Sequence, residues 1–356
     1  PTTKWYMSDV YDFLFAASTH EARLPLSNSS LPFSPSNVTT DSKYNNNQSD
    51  NANLFLVQFG DLRDQFPVPI FVKSRMARDS TTTNDATFPD STLVEPILAP
   101  FNTHRHFTGP IRRIRDNKDR PWNEKLPILL WRGGMTGLNH GEGGDGSSLR
   151  RLQLVIRLYQ ACLQWKKSRW FKPPTDMSKI NLTEWIPRSS ITGLPLFDIG
   201  FTNLIQVDRK DKHQYKYLLK DGLSFREQLQ YKYLLNLEGN DVSSGLKWML
   251  FSNSVVFMPV PTCSSWAMEE KLRPWYHYIP LRDDLLDLVQ KIRWCEQHDD
   301  LCRQISVQAT QYMNDLWVSS EARTAQQQVL KRMVQRYQDY YGQQLRQGCL
   351  QKESES

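Results

Sequence analysis

From residue 126 onward, short apolar runs alternate with amphipathic stretches, and this alternation constrains the fold more than any other feature of the sequence. Residues 127–131 read as a buried strand, Gly133 and Gly134 as a turn, and residues 148–165 as an amphipathic helix. Strands that alternate with helices are typical of a parallel sheet covered on both faces. The second half of the chain is therefore predicted to be a doubly wound α/β domain.

The same pattern continues toward the C-terminus. Further strands are predicted at residues 196–200, 233–237, 254–258 and 276–279, and helices from Ser224 and over residues 243–250. Beyond residue 283 the sequence is almost wholly helical, and residues 303–344 contain no proline, which predicts a long terminal helix. Residues 112–126 are interpreted as a linker.

The first third of the chain is less regular. Residues 27–53 are rich in Ser, Asn, Thr and Asp and are predicted to be a disordered insertion, because such a tract buries too little apolar surface. Short strands are expected at residues 54–59 and 68–72. We therefore divide the chain into residues 1–121, residues 122–298, and a terminal helix with a polar tail at residues 299–356.

Composition excludes several classes of protein. With 39% hydrophobic residues among 356, the chain can bury a large core, yet no apolar run approaches the length of a membrane span. The net charge of +6 is dispersed, except for a basic cluster at residues 105–125 that also holds Asp116 and Asp119. That cluster is interpreted as a solvated linker or as a site for an anionic donor. Dispersed charge and the absence of a nucleic-acid motif argue against a nucleic-acid partner.

Cysteine and asparagine motifs bear on metal binding and compartment. The 5 cysteines form no Cys-x-x-Cys pair and have no His partners at zinc-ligand spacing, so no metal site is expected. Asn-x-Ser/Thr triplets begin at Asn28, Asn37, Asn47 and Asn181 and favour a secretory lumen. There disulfides are permitted, and Cys295 and Cys302 are the closest pair in sequence. Since the sequence begins at Pro1 without a leader, we interpret it as the luminal portion of a protein, with a membrane anchor before it compatible with the sequence.

Two glycine turns stand where a doubly wound sheet binds ligands, beyond the carboxyl ends of its strands. After the first strand, residues 132–134 and a glycine-rich stretch lead into a helix that begins with Arg150 and Arg151, a pattern suited to a phosphate. The alternative is a flexible surface loop with a solvated Arg151. In the second turn, Ser243 and Ser244 either cap a helix or receive a diphosphate whose charge Lys247 offsets. Neither a Rossmann nor a P-loop fingerprint is present, which disfavours a nicotinamide enzyme or a P-loop NTPase.

A longer series of residues resembles the signature of glycosyltransferase family 90, the capsule-associated-protein-like and KDEL-motif protein O-glucosyltransferases and O-xylosyltransferases. The matching residues lie between about 126 and 288. They are Tyr231-Lys-Tyr-Leu-Leu-Asn-Leu-Glu-Gly239, Ser243, Lys247, Ser252-Asn-Ser-Val-Val-Phe257, Glu269, Leu272-Arg-Pro-Trp-Tyr-His-Tyr-Ile-Pro280 and Asp284.

This resemblance implies a GT-B fold, with two Rossmann-like lobes facing a cleft and the terminal helix crossing back to the first lobe. It implies an inverting transfer of glucose or xylose, without metal or cofactor, from a UDP-sugar to a hydroxyl of a protein or glycan acceptor in the endoplasmic reticulum or Golgi lumen. The alternative is a non-catalytic sugar-binding or scaffold protein of the same fold that has lost donor binding.

The resemblance also assigns roles to residues. Asp85, in the stretch from Asn84 to Asp90, is expected to be the catalytic base, with Asp90 as the alternative. The non-functional interpretation is that Asp85 is an ordinary turn residue. Gly134 stands where the family usually has Ser, and Gly245 where the protein O-glucosyltransferases carry an Arg that pairs with the diphosphate, so Lys247 is the expected substitute. His277 is interpreted as a packed, hydrogen-bonded residue. The expected donor-binding residues are Arg132, Gly133, Gly134, Arg150, Arg151, Asn240, Asp241, Val242, Ser243, Ser244, Gly245, Lys247 and Glu269.

Overall fold

The structure is a computed structural model that describes residues 57, 70–77, 96–101, 109–137, 150–165, 182–207 and 209–354. At residues 117, 164, 165 and 342–354 it describes the backbone alone. The chain divides into two units, one formed by Val57–Arg323 and one by Pro1–Leu56 together with Thr324–Ser356. The division at residues 121 and 298 stays a prediction, and the predicted insertion at 27–53 lies outside the described residues.

The secondary structure within the described residues is as follows. The strands are β1 Phe71–Val72, β2 Ser74–Met76, β3 Ile97–Leu98, β4 Leu126–Gly134, β5 Phe197–Asn203, β6 Tyr231–Leu235, β7 Val255–Met258, β8 Cys263–Ser265 and β9 Ile279–Pro280. The α-helices are α1 Gly109–Asn117, α2 Arg150–Trp165, α3 Phe225–Gln228, α4 Leu246–Phe251, α5 Leu288–Gln297, α6 Asp299–Met313 and α7 Ser320–Ser354. Short 3₁₀ turns cover Trp122–Glu124, Leu182–Trp185, Lys212–Leu218 and Glu269–Lys271.

The central sheet has five strands in the order β5-β4-β6-β7-β9, and every neighbouring pair is parallel. Numbered along the chain, these strands stand in the order 2-1-3-4-5, one of the two common orders of a doubly wound sheet. The predicted parallel α/β organisation is therefore confirmed. The order reverses between β4 and β6, and a doubly wound sheet binds its ligands at such a point, beyond the carboxyl ends of the strands.

Apolar runs in the sequence become the buried strands of this sheet. All four residues of β7 are buried, and so are residues 128–131 of β4. Continuous burial without alternation is typical of a parallel sheet whose two faces are both covered. On α2, Val155, Leu158 and Tyr159 face the sheet, and the Tyr159 hydroxyl donates a hydrogen bond of 2.6 Å to the Ile199 carbonyl of β5.

Two short strand pairs precede or flank this sheet. β1 pairs with β3 in parallel, and β2 pairs with β8 in antiparallel register, Ser74 opposite Ser265 and Met76 opposite Cys263. Residues 70–77 are thereby attached to the region just after β7. The short strand predicted at 68–72 is confirmed in its last two residues.

The predicted linker at 112–126 is wrong over its first half, because α1 occupies residues 109–117. Ile111 and Ile114 are buried on one side of this helix, while Arg113 lies over the Phe225 ring and Arg115 over the Phe251 ring. The arginines that suggested a solvated linker are the outer face of an amphipathic helix, and their stems cover aromatic rings.

Four element boundaries also differ from the prediction. Gly133 and Gly134 are the last residues of β4 rather than a turn. Helix α4 begins at Leu246, three residues later than expected, and the predicted strand at 276–279 is a turn that ends in β9. The long terminal helix is interrupted by a π-helical turn, Asn314–Val318, after which the extended Ser319 accepts a hydrogen bond from the Ala322 N–H and caps α7.

Cys295 and Cys302, the closest pair in sequence for which a disulfide was permitted, are both buried as free thiols, as are Cys162 and Cys263. Among the helices described, none is long and apolar enough to cross a membrane.

Candidate functional site

A narrow cleft opens beyond the carboxyl ends of β6 and β7. It combines an apolar wall with a few polar groups, the usual composition of a small-molecule site. Its lining residues are Arg150, Leu154, Asn236, Leu237, Glu238, Val242, Ser243, Leu246, Met258, Pro259, Val260, Pro261 and Glu269. Of the predicted donor-binding residues, the structure brings Arg150, Val242, Ser243 and Glu269 together here.

Arg151 fills the place where the strand order reverses. Past Leu130 and Leu234 the strands β4 and β6 no longer pair, and the Arg151 guanidinium lies between their ends. It donates to the Glu238 carbonyl at 3.0 Å, the Gly134 carbonyl at 3.2 Å and the Leu237 carbonyl. A further bond of 2.9 Å reaches the Thr136 hydroxyl. Arg151 thus clamps the two strand ends together.

Burial lowers the pKa of Arg151 to about 10, although the charges of Asp241 and Glu238 oppose that shift. At neutral pH the side chain remains charged, and four of its five N–H groups are used inside the protein. Arg151 is therefore not the solvated loop residue of the alternative interpretation, and its guanidinium is not open to a phosphate.

Arg150 has the opposite environment. Its backbone N–H donates to the Gly137 carbonyl at 2.8 Å, and its side chain lines the cleft. Among the residues that the structure describes, none forms a hydrogen bond or ion pair with its guanidinium. Of the two arginines at the start of α2, Arg150 is the one available to an anion in the cleft.

Arg132 points away from the cleft. Its guanidinium donates to the Asp198 carboxylate at 2.6 Å and to the Asp221 carbonyl at 3.1 Å. Burial opposes ionisation of Asp198, but hydrogen bonds from Arg132 and Lys220 outweigh it and lower the pKa of that carboxyl. Arg132 and Lys220 together fix the outer strand β5 next to β4.

Packing constrains the first of the two glycines that end β4. A Cβ atom at Gly133 would lie 2.6 Å from the buried Trp131 ring, which leaves little room for a larger residue. A Cβ atom at Gly134 would lie 2.8 Å from the side-chain oxygen of the exposed Asn203, which can move aside.

The turn after β6 is held from three sides. The Glu238 carboxylate accepts from the Thr262 hydroxyl and from the N–H groups of Thr262 and Cys263, at 2.5 to 3.2 Å. Asn240 accepts a bond of 3.0 Å from the Gly137 N–H. These contacts connect the turn to the loop after β4 and to the start of β8.

Asp241 attaches the same turn to residues 70–77. Its carboxylate forms an ion pair of 2.6 Å with Lys73 and accepts a hydrogen bond of 2.9 Å from the Ser74 hydroxyl. All three residues are buried or nearly so. Asp241 is therefore a tie between two segments, whereas Ser243 faces the cleft and Ser244 is exposed.

Gly245 is the residue before α4 and has an ordinary helical backbone. A Cβ atom there would lie 3.2 Å from the Met249 methyl group and 3.4 Å from the Trp248 ring nitrogen. Since the Met249 methyl is the end of a flexible side chain, the site can accept a larger residue.

Lys247 is completely buried and paired with Glu269. The distance from its ammonium nitrogen to the carboxylate is 2.6 Å, and Glu269 also accepts from the Ser265 N–H and hydroxyl at 2.7 and 2.8 Å. The pair is neutral as a whole, so Lys247 presents little net charge to an anion. Both carboxylate oxygens of Glu269 are already hydrogen-bonded.

Asn236 is a cleft residue that the sequence analysis missed. It follows β6 directly, is 3% exposed, and its side-chain NH₂ has only a weak contact of 3.6 Å with the Met258 sulfur. Its side-chain oxygen is buried without a hydrogen-bond partner. Buried acceptors are nearly always paired, so an unpaired one in a cleft points to a ligand that donates to it. The signal in the sequence was an amide interrupting the apolar run 233–237.

His277 is packed and hydrogen-bonded, as expected. Its Nδ1 accepts a bond of 2.9 Å from the Arg273 N–H, which requires an unprotonated Nδ1. Burial, with the nearby Arg273 charge, lowers the pKa of His277 to about 4.

Several predicted residues lie outside the described residues, namely Asp85, Asp90 and the asparagines of the four glycosylation triplets. Within the described ranges, no group of three or more His, Cys, Asp or Glu side chains could hold a metal ion.

Comparison with known proteins identifies the part of the chain that carries most of the cleft. Residues 189–340 match Glycosyl transferase family 90. O-glucosyltransferase LpsA of Dichelobacter nodosus is 42% identical over 95 residues, which are 27% of this chain and 30% of that protein. Protein O-glucosyltransferase 2 of Danio rerio is 34% identical over 117 residues, 33% of this chain and 23% of that protein. Protein O-glucosyltransferase 3 of Homo sapiens is 26% identical over 142 residues, 40% of this chain and 27% of that protein.

Each match therefore spans less than a third of the relative's length. The family segment supplies every cleft-lining residue except Arg150 and Leu154. Residues 189–340 are thus similar to glycosyl transferase family 90, and the resemblance expected from the sequence is confirmed.

Proposed function

We propose that this protein is a glycosyltransferase that moves a sugar, glucose or xylose, from a UDP-sugar to a hydroxyl of a protein or glycan acceptor. The observation that carries the proposal is the cleft beyond β6 and β7, most of which the family segment forms; Arg150 borders it with a guanidinium that no described residue pairs. Relatives named as O-glucosyltransferases support the transfer of glucose.

In this proposal the nucleotide occupies the cleft with its diphosphate toward Arg150. The Arg150 guanidinium provides bidentate hydrogen bonds to phosphate oxygens. Arg150 then supplies the cation that position 245 lacks, because the charge of Lys247 is neutralised by Glu269. Asn236 accepts a hydrogen bond from the ligand, and the apolar residues 258–261 contact its base.

The proposed chemistry is an inverting displacement without metal or cofactor. Asp85 removes the proton of the acceptor hydroxyl while the hydroxyl oxygen attacks the anomeric carbon of the sugar. The bond between that carbon and the diphosphate breaks, and UDP leaves. The proposed setting is a GT-B arrangement of two lobes in the lumen of the secretory pathway. Supporting evidence is the doubly wound sheet of the second half and the glycosylation triplets.

The test is a UDP-release assay with UDP-glucose, UDP-xylose, UDP-galactose and UDP-glucuronate, with and without EDTA, on the wild-type protein and Asp85→Asn. We expect one donor to be turned over, unaffected by EDTA and lost in Asp85→Asn, while calorimetry shows that the variant still binds UDP. Turnover abolished by EDTA would contradict the metal-free mechanism. If no donor is turned over and UDP does not bind, the alternative of a non-catalytic sugar-binding or scaffold protein replaces the proposal.

A further inference from the structure

Two adjoining surface clefts lie around the turn at residues 273–278 and are separate from the nucleotide cleft. They are open to solvent, have volumes of about 380 and 310 Å³, and share Tyr276 and Gln308. Trp275 and Tyr276 are 44% and 40% exposed. Large aromatic rings that remain accessible beside polar groups are typical of binding surfaces.

The turn holds these rings outward in a fixed conformation. Trp275 has a φ of 61°, a left-handed conformation that a bulky residue rarely adopts. Hydrogen bonds maintain it, since the Trp275 N–H donates to the Tyr278 carbonyl at 2.8 Å and the His277 N–H to the Arg273 carbonyl at 2.9 Å. Strained backbone of this kind concentrates at ligand-binding sites.

One side of each ring is supported by a cation. The Lys291 ammonium lies 4.2 Å from the centre of the Trp275 ring, and the Arg273 guanidinium lies 3.8 Å from that of Tyr276. Trp294 contacts the Trp275 ring edge at 4.9 Å between centres. The rings are therefore fixed platforms rather than mobile surface side chains.

A row of amides runs along α6 beside the rings. Gln304, Gln308 and Gln311 are four and three residues apart, a spacing that places them on one helix face. Gln311 donates to Asp315 at 2.6 Å, whereas the Gln304 and Gln308 amides have no hydrogen-bond partner among the residues described. Each free amide offers both donors and an acceptor.

We propose that this surface binds a glycan, with sugar rings stacked on Trp275 and Tyr276 and hydroxyls hydrogen-bonded to Gln304 and Gln308. Sugar hydroxyls both donate and accept, as the amides do, and the apolar faces of sugar rings suit aromatic platforms. A proline-rich peptide would use the rings but offers mainly carbonyl acceptors to the amides. The choice of a glycan rests on the proposed function, and the site would hold part of a glycan acceptor away from the reacting hydroxyl.

The experiment measures binding of the purified full chain to a printed oligosaccharide array in buffer without nucleotide. Trp275→Gly removes the ring and suits the left-handed backbone, so it should keep the unfolding midpoint of the wild type. We expect wild-type protein to retain one or more oligosaccharides and Trp275→Gly or Gln304→Ala/Gln308→Ala to bind about tenfold more weakly. Val307→Ala is the matched control, since Val307 is 57% exposed on α6 and lies outside both clefts.

Failure to retain any oligosaccharide, or equal retention by the variants, overturns the inference. The inference is also overturned if this surface binds a proline-rich peptide, or a second copy of the chain detected as a dimer by light scattering, and that binding is lost in Trp275→Gly. Calorimetry with UDP on the same samples separates the two proposals. Glycan binding without UDP binding contradicts the proposed function alone, whereas UDP binding without glycan binding contradicts this inference alone.

Discussion

At the scale of the residue, the two neighbouring arginines of α2 have different tasks. Arg151 spends its hydrogen bonds on the backbone carbonyls at the ends of β4 and β6, while Arg150 keeps its guanidinium for the cleft. Consecutive residues of a helix point about 100° apart, so a shift of one position changes a structural residue into a binding one.

Arg150→Ala is expected to weaken UDP binding roughly 10- to 100-fold, because a charged hydrogen bond to phosphate is lost. Stability should change by less than about 0.5 kcal/mol, since the side chain supports no other described residue. Calorimetry with UDP measures the first effect and urea unfolding the second. Arg157→Ala, on the exposed side of the same helix, is the control and should bind UDP like the wild type.

Arg151→Ala is expected to lower the free energy of unfolding by about 2–4 kcal/mol, because several carbonyls lose their partner in a buried place. Urea unfolding measures it. A variant as stable as the wild type, with UDP affinity reduced more than in Arg150→Ala, would show that the roles of the two arginines are reversed.

Asn236→Leu separates a binding role from a structural one. Removing an unpaired buried acceptor should raise the free energy of unfolding by about 1–2 kcal/mol, while the loss of its hydrogen bond to the ligand should weaken UDP binding about tenfold. Thermal unfolding and calorimetry provide the two measurements. Loss of stability with unchanged UDP affinity would count against Asn236 as a ligand group.

The sequence could indicate the arginine pair, the glycines and the turn, but not their division of labour. Which side chains reach the cleft depends on the register of β4 against β6 and on where α4 begins, and each is set by packing across the sheet. The buried pairing of Lys247 with Glu269 joins residues 22 positions apart, so no local pattern could reveal it.

At the scale of the element, apolar runs predicted the strands well because a parallel sheet buried on both faces needs them. The helix at 109–117 was missed because its charges outnumber its two buried isoleucines. The strand order could not be predicted from these runs, since it depends on which side of β4 each following strand is placed.

The turn at 273–278 has a pH dependence that follows from His277. Its pKa, about 4 in the folded protein, lies below the ordinary value of 6.5, so the unfolded chain binds more protons between these values. The stability it contributes is complete above about pH 6.5 and is lost as the pH falls toward 4, by an amount on the order of 1–3 kcal/mol. His277→Gln keeps an acceptor for Arg273 and should flatten this part of the profile. Unfolding by urea at several pH values tests it, and parallel profiles would contradict the assignment.

At the scale of the whole molecule, the number of cysteine thiols that react with a reagent distinguishes a reduced chain from a disulfide-linked one. Burial raises the pKa of Cys162 to about 12, and burial with the adjacent Cys302 raises that of Cys295, which keeps both protonated and unreactive. In a Cys349→Ser variant we expect the four described cysteines to react with a thiol reagent in denaturant. In native buffer we expect the same reaction to be at least about tenfold slower. Two thiols fewer in denaturant would indicate a disulfide.

The resemblance to glycosyl transferase family 90 could be predicted from motifs because they lie in one continuous segment, which forms most of the cleft. The lobes could not be tested in the same way, since the proposed base falls outside the described residues, and the units seen here divide the chain at residues 56 and 323.

The tie between Asp241 and residues 73–74 has a thermodynamic consequence. Asp241 is two positions from Ser243 in the cleft, so a nucleotide that moves this turn also changes the ion pair with Lys73. By thermodynamic linkage, a molecule that binds against residues 70–77 then changes the affinity for the nucleotide by some factor. The nucleotide changes the affinity for that molecule by the same factor. If the proposed acceptor binds against residues 70–77, each substrate then changes the affinity for the other by one common factor, whichever of them binds first.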